Sequence, residues 1–271
     1  MFAKFAQNLK KKRQQQMPFD EDADAEKWQQ LQFWYASDLG KRLAHSEKQI
    51  LDDFLPDLFG YFLLQCGCPE VQAEKTMGSW LNNSRISRKF CLDCTRNEGL
   101  SLTSNYVQLP IQQDSVDIVI LPHVLEFSSM PHQVLREVER ILIAEGHVII
   151  LGFNPWSVWN IFRVFPFWRK QAPGSVEFLS ASRVMDWLAL LGFDLVKRQN
   201  YFYQPPIQNK KISSKIGIIE KIAQRFTPAF GAGYALVARK RVVTLTPIRP
   251  RWASGSKVMD PGLNTVNRNK L

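Results

Sequence analysis

A histidine and a glutamate lie three residues apart in the segment LPHVLEF, directly after an apolar run. The imidazole of His123 has an ordinary pKa near neutral pH, so it is suited to take up and release a proton. Glu126, about one helical turn further on, can orient that ring. We therefore predict His123 as a general base with Glu126 as its partner. A histidine that caps a helix or fills the core is the alternative.

Four cysteines form two close pairs, Cys66 with Cys68 and Cys91 with Cys94. Two such pairs are a possible zinc site if neighbouring strands bring them together. Against zinc, the C-x-C spacing is tighter than the usual knuckle, and Cys66 fits equally well as an apolar strand residue. We predict no metal ion and leave zinc as an open alternative.

These residues lie among short apolar runs that begin after Gly60 and alternate with helical segments. Such runs are typical of strands that helices bury on both faces. The pattern predicts an α/β fold, with a doubly wound and mostly parallel sheet in a single domain. The predicted strands are Tyr61–Cys66, Lys89–Leu92, Asn105–Val107, Val116–Leu121, His147–Gly152, Phe193–Asn200 and Tyr234–Arg239.

Helices are predicted from apolar residues at helical spacing and from end signals. Two precede the first strand: one covers Ala23–Leu39, and the other follows Ser46 as its N-cap. The other three are Val134–Leu142 with Gly146 as its end, Ser182–Leu191 closed by Gly192, and Ile212–Phe226.

The charge of the chain is concentrated at its two ends. The 271 residues contain 35 Lys and Arg against 25 Asp and Glu, a formal net charge of +10. Residues 1–16 and 239–271 together carry +12, which leaves −2 for residues 17–238. A basic groove through the folded part is therefore not expected, although the basic ends can contact an anionic surface.

The predicted organisation has four parts: a basic and acidic N-terminal segment (1–22), N-terminal helices (23–59), a domain (60–241) and a disordered basic tail (242–271). The chain contains no apolar run of about 18 residues, the length that a membrane-spanning helix needs. At the N-terminus the charges follow the apolar residues, which is the wrong order for a secretory signal. We expect a cytoplasmic protein with reduced cysteines.

Residues 105–154 carry a series of motifs in a fixed order. The segment begins NYVQLPIQQDSVDIVILPHVLEF and ends LREVERILIAEGHVIILGFN. It resembles the type 11 group of class I S-adenosylmethionine-dependent methyltransferases, and the resemblance covers roughly residues 60–241. The matching residues are Asn105, Leu109, Pro110, Ile111, Ser115, Val116, Asp117, Leu135, Arg136, Glu137, Arg140, Ile141, Leu142, Gly146 and Ile150.

This resemblance implies a Rossmann-like sheet of seven strands with an antiparallel last strand. It also implies S-adenosyl-L-methionine as cofactor, at the carboxyl edge of the sheet. Cys66, Gly67 and Cys68 would form the cofactor loop, which has one glycine where two or three are usual. Asp93 would accept from the ribose hydroxyls. Adenine would contact Asn105 and Tyr106, although Asn105 could instead form an Asx turn. The floor of the site beside His123 would consist of Leu121 and Pro122.

The stretch after the fifth predicted strand is aromatic and basic. Asn154, Pro155 and Trp156 are interpreted as a turn. Residues 155–172 interleave Trp and Phe with Arg and Lys, which suits a helix packed on the domain, the cap of a substrate pocket or a membrane-surface segment.

From this sequence we expect a methyltransferase that acts on a small-molecule or lipid-like acceptor. The thin glycine loop favours a second hypothesis, a non-catalytic protein that keeps the fold as an interaction module. A third, weaker hypothesis is a nucleic-acid methyltransferase, which rests on the basic ends. The sequence leaves the acceptor and the oligomeric state open.

Overall fold

The computed structural model describes residues 21–70, 78–95, 100–157, 159–160, 178–204 and 230–242. The predicted helix Ile212–Phe226, most of the aromatic and basic segment, and nearly all of both charged ends lie outside these ranges.

The described part of the chain builds one seven-stranded sheet with the order β3-β2-β1-β4-β5-β7-β6. All neighbouring strands are parallel except β7, which runs antiparallel to β5 and β6. The predicted α/β sheet with its antiparallel last strand is thereby confirmed. The strands are β1 (Phe62–Cys66), β2 (Arg88–Asp93), β3 (Leu102–Thr103), β4 (Val116–Pro122), β5 (Leu142–Phe153), β6 (Phe193–Tyr201) and β7 (Gly233–Lys240).

Two strand boundaries differ from the prediction. Residues 105–107 form a turn instead of a strand, because the Asn105 side-chain oxygen accepts a hydrogen bond from the backbone N–H of Val107. The fifth strand starts at Leu142, so Gly146 lies inside β5 and does not end the preceding helix. That helix ends because Leu142 already has extended backbone angles.

The N-terminal helices are α1 (Glu21–Tyr35) and α2 (Asp38–Phe54). The predicted boundary at Ser46 is wrong because Ser37 is the N-cap of α2, with its side chain accepting from the Gly40 N–H. Ser46 lies inside α2, where its hydroxyl donates to the carbonyl of Arg42 four residues earlier.

Three further helices complete the described fold: α3 (Val124–Phe127), α4 (Pro131–Ile141) and α5 (Ala181–Leu190). The helix α5 ends at Gly192, which has a left-handed φ of +81°, as its position in the sequence predicts. Within the described ranges, none of the helices is long and apolar enough to cross a membrane.

Candidate functional site

Gly67 follows β1 and makes the turn at the carboxyl edge of the sheet. Its φ is +87°, a conformation that glycine adopts without strain, and its N–H donates to the carbonyl of Leu92 over 2.7 Å. A Cβ at this position would lie 2.8 Å from a ring carbon of Trp28 and 2.7 Å from a methyl of Val124. The indole of Trp28, on α1, therefore fills the space directly over the turn.

Asp93 ends β2 beside this turn and is fully buried. Its Oδ2 accepts from Gln32 Nε2 at 3.0 Å and from the Cys68 N–H at 3.2 Å. Its Oδ1 accepts from the Tyr106 hydroxyl at 3.1 Å and from the N–H and hydroxyl of Thr95 at 3.2 and 3.3 Å. The Thr95 hydroxyl shares its one proton with Gln32 Oε1, so four full donors and one shared donor meet a group with about four lone-pair sites, and the chain itself saturates this carboxylate.

The acid strength of Asp93 follows from the same surroundings. Burial raises the pKa of its carboxyl above the ordinary value, although the hydrogen bonds from Thr95, Cys68 and Tyr106 act in the opposite direction. The described donors to this carboxylate, from Gln32, Cys68, Thr95 and Tyr106, are all neutral.

A cleft of about 290 Å³ opens next to Asp93, between α1 and the residues after β3. That volume is near the lower end of small-molecule pockets, which run from about 300 to 1,000 Å³. Asn105 and Tyr106 are in its wall, and their contacts with adenine stay a prediction; Trp28 lies between this cleft and Gly67. The lining residues are Asp24, Ala25, Trp28, Cys94, Ser104, Asn105, Tyr106, Val124, Phe127 and Ser128.

His123 follows the last residue of β4 and is also buried, with a left-handed φ of +58°. Its Nδ1 lies 3.0 Å from Glu126 Oε2, as the spacing predicts, and its Nε2 lies 2.7 Å from Glu47 Oε1 on α2. Burial alone lowers the pKa of His123, but the charge of Glu47 and the hydrogen bonds to both glutamates outweigh it and raise this pKa to about 9.

Glu47 joins three parts of the fold through one carboxylate. Besides His123 it accepts from the Tyr35 hydroxyl at 2.8 Å and from the Tyr201 hydroxyl at 3.0 Å. Glu126 and Glu47 occupy the two ring nitrogens of His123. Leu121 and Pro122, the two residues before it, are buried. This arrangement suits a structural ion cluster; a general-base role for His123 stays a prediction, because a base needs a ring nitrogen open to its substrate.

The four cysteines lie near Asp93 as free thiols. The Cys68 thiol donates to the Cys91 sulfur, which lowers the pKa of Cys91 and raises that of Cys68. Burial raises the pKa of Cys66 and Cys94. Among the described residues, no group of three or more His, Cys, Asp or Glu side chains is arranged to hold a metal ion.

Sequence reasoning missed the contributions of α1 and α2 to this site. Trp28 lies in the predicted helix Ala23–Leu39, but helical spacing does not show which part of the sheet that helix covers. A signal was present for Glu47, which stands four residues after Leu43 and four before Leu51, in the middle of a buried helix face. A carboxylate at such a position indicates a buried partner.

Comparison with known proteins finds a matching domain family, a similar protein sequence and solved structures with the same fold. Residues 81–150 match the type 11 family described as a methyltransferase domain. The uncharacterized protein YafS of Escherichia coli (strain K12) is 28% identical over 207 residues, which cover 76% of this chain and 80% of YafS.

Two solved structures share the fold. One is a methyltransferase of Haloferax volcanii in complex with the Trm112 methyltransferase activator (18% identity, TM-score 0.53, 78% of this chain and 96% of that one). The other is a SAM-dependent methyltransferase of Thermotoga maritima (17%, 0.54, 74% and 91%).

The cofactor that this fold implies fits the described residues only in part. The cleft beside Asn105 and Tyr106 offers room for a planar base. The remainder does not fit as arranged, because Trp28 covers Gly67 and the oxygens of Asp93 are saturated. The matched segment is that of a methyltransferase domain, and the shared architecture is the fold of the two solved methyltransferase structures.

Proposed function

We propose that the chain binds S-adenosyl-L-methionine at the carboxyl edge of the sheet and is a methyltransferase for a small-molecule or lipid-like acceptor. The observation that carries this proposal is the cleft beside Asp93, lined by Asn105 and Tyr106. It lies outside the carboxyl ends of β2 and β4, where ligands of doubly wound sheets bind. The cofactor, when bound, carries an electrophilic methyl group on a sulfonium sulfur.

The cleft has the chemistry that a purine needs. The rings of Tyr106 and Phe127 supply apolar walls, while Ser104 and Asn105 supply polar groups at the rim. Asn105 uses its side-chain oxygen for the turn to Val107, so its place at the cleft is fixed by the backbone. Part of the site is thus rigid without any ligand.

Calorimetry with S-adenosylhomocysteine, the demethylated cofactor, tests this proposal on the full chain. Ser104 lines the cleft from the loop after β3, and the substitution Ser104→Phe fills the cleft at the cost of two hydroxyl contacts, with the carbonyls of Asn105 and Gln108. The exposed Ser182 on α5 provides the matched control, Ser182→Phe. We expect saturable binding that Ser104→Phe abolishes and Ser182→Phe preserves.

The proposal would be rejected if millimolar ligand gave neither heat nor thermal stabilisation in the wild type, in Trp28→Ala and in Leu31→Ala. Unchanged binding in both phenylalanine variants would place the ligand outside the cleft.

A second candidate function is a non-catalytic interaction module with this fold. It is favoured by the saturated carboxylate of Asp93 and by the indole packed on Gly67. The Haloferax volcanii relative is held by a protein activator, and an interaction module would likewise bind a protein. The calorimetric experiment separates the two candidates, because a module of this kind requires no cofactor.

A further inference from the structure

We infer that α1 is a built-in plug of the cofactor site: its side chains occupy the positions that ligand groups must take, and the helix must swing out before the site fills. This inference rests on the proposed function, since a plug has meaning only where a cofactor binds. It adds that the described arrangement is a closed state of the site.

The first contact is that of Trp28 with the glycine turn. The indole is buried and packs edge-on against Tyr106 and Phe127, with ring centroids 5.9 Å apart in both pairs. The space over Gly67 that glycine leaves open for a close approach is taken by ring carbons of this indole. A ligand and Trp28 therefore exclude each other at this point.

The second contact is a hydrogen bond from α1 to the carboxylate that a ribose hydroxyl would otherwise use. Gln32, one helical turn after Trp28, donates its amide to Asp93 Oδ2, and its Oε1 accepts from the Thr95 hydroxyl at 3.4 Å. A ribose hydroxyl is also a donor and would need the same carboxylate. Because the acceptor is already saturated, a ribose can bind there only if a donor such as Gln32 leaves.

The third observation concerns how each N-terminal helix is held. The buried face of α1 is narrow and consists of Trp28, Leu31, Gln32 and Tyr35. Its start is fastened by hydrogen bonds of Ser129, from N–H and hydroxyl, to Asp24 at 2.7 and 2.9 Å, in an exposed position. At the other end of α1 the buried Tyr35 hydroxyl donates to Glu47, so the exposed bonds that are typical of local opening lie at the start of the helix.

The following helix is anchored more firmly. The carboxylate of Glu47 ties α2 to His123 and to Tyr201, and its buried apolar face is longer. The two helices are separated by Ala36 and the N-cap Ser37, where helical hydrogen bonding is interrupted. An outward swing of α1 about this break therefore has to start at the first turn of the helix and to release the bond from Tyr35 to Glu47, while His123 and Tyr201 still hold α2.

The experiment measures S-adenosylhomocysteine binding by calorimetry for the wild type and three variants of the full chain. Trp28→Ala removes the plugging side chain. Leu31→Ala weakens the packing of α1 at a buried residue that does not line the cleft. This variant therefore separates the release of α1 from the extra cleft space that Trp28→Ala creates. Phe33→Ala is the matched control, because Phe33 lies on the same helix and is 70% exposed.

We expect Trp28→Ala and Leu31→Ala each to bind at least tenfold more tightly than the wild type, and Phe33→Ala to equal it. Circular dichroism confirms that each variant is folded. Equal or weaker binding by Leu31→Ala, in a chain whose wild type binds, overturns the plug and leaves the proposed function standing. No binding by any of the four proteins rejects the proposed function, and the plug with it.

Discussion

The amide of Gln32 and the carboxylate of Asp93 are joined by a buried hydrogen bond of 3.0 Å, which links α1 to the end of β2 across 61 residues of sequence. The resemblance to methyltransferases assigns that carboxylate to a ribose, yet here a side chain of the same protein uses it. The competition between an internal and an external donor for one acceptor governs the behaviour that we expect of this site.

Asp93→Asn should destabilise the protein by about 2–4 kcal/mol. The amide nitrogen of an asparagine would replace one of the two oxygens and face either the donors of Gln32 and Cys68 or those of Tyr106 and Thr95, which leaves one set of buried donors without an acceptor. Urea unfolding followed by circular dichroism measures this loss. The exposed Asp186→Asn is the control, with a change within about 0.5 kcal/mol; equal losses in both would contradict the saturated carboxylate.

Gly67→Ala should cost more stability than Gly192→Ala. Both glycines have left-handed φ angles, +87° and +81°, so an alanine is strained by about 1–2 kcal/mol at either. At Gly192 the nearest atom to a new Cβ is 3.7 Å away, whereas at Gly67 the Cβ would clash with Trp28 and Val124. Overpacking therefore adds about 1–3 kcal/mol at Gly67.

The double variant Gly67→Ala/Trp28→Ala isolates the contact between these two residues. We expect its loss of stability to be smaller than the sum of the single losses by about 1 kcal/mol or more, because removing the indole relieves the clash. Urea unfolding of the four proteins gives the coupling energy. Strict additivity would mean that Trp28 does not rest on Gly67.

The protein should lose stability as the pH rises from 6.5 to 9, through His123. Its folded pKa of about 9 exceeds the unfolded value of 6.5, so its contribution is complete below pH 6.5 and is lost as the pH passes the folded pKa. That difference corresponds to a contribution on the order of 3 kcal/mol. Replacing this residue, His123→Gln, should flatten the profile of melting temperature against pH in this window.

The surroundings of His123 determine the sign of this effect. Glu47 and Glu126 face both ring nitrogens, and the hydroxyls of Tyr35 and Tyr201, whose pKa values burial raises well above the ordinary value, contact Glu47. A wild-type profile that is flat between pH 6.5 and 9 would show that the imidazole is neutral in the folded protein.

Lys240 should matter more for stability than its neighbour Arg241. Its ammonium is nearly buried and donates to the carbonyls of Glu139 and Leu142 and to Asp114, whereas Arg241 forms an exposed pair with Asp194. We expect Lys240→Ala to cost about 2–3 kcal/mol and Arg241→Ala less than about 1 kcal/mol in urea unfolding. The reverse order would contradict an anchoring role of Lys240 at the end of β7.

The sequence was informative wherever a pattern is local. Alternating apolar runs and helical spacing predict the sheet and place Asp93 directly after its predicted second strand, whereas the position of Asn105 beside the cofactor was implied only by the resemblance. The pairing of His123 with Glu126 follows from their separation by one turn and is present. These features depend on residues that are neighbours in the chain or in the sheet.

Long-range partners could not be predicted in this way. Glu47 lies 76 residues from His123, and Gln32 lies 61 residues from Asp93, so no periodicity connects them. The position of α1 depends on which part of the sheet has room for the indole of Trp28. The turn at Gly67 has that room because glycine lacks a Cβ. Packing, which local patterns do not specify, therefore determines whether the site is open or closed.

Hydrogen exchange of the α1 backbone, with and without millimolar S-adenosylhomocysteine, tests the central claim most directly. If the helix must leave for the site to fill, binding should accelerate exchange at residues 28–35 while α2 stays protected. The full-length wild type and the Phe33→Ala control should behave alike. Slower exchange in α1 on binding would show that the helix clamps over the ligand, and would contradict the plug.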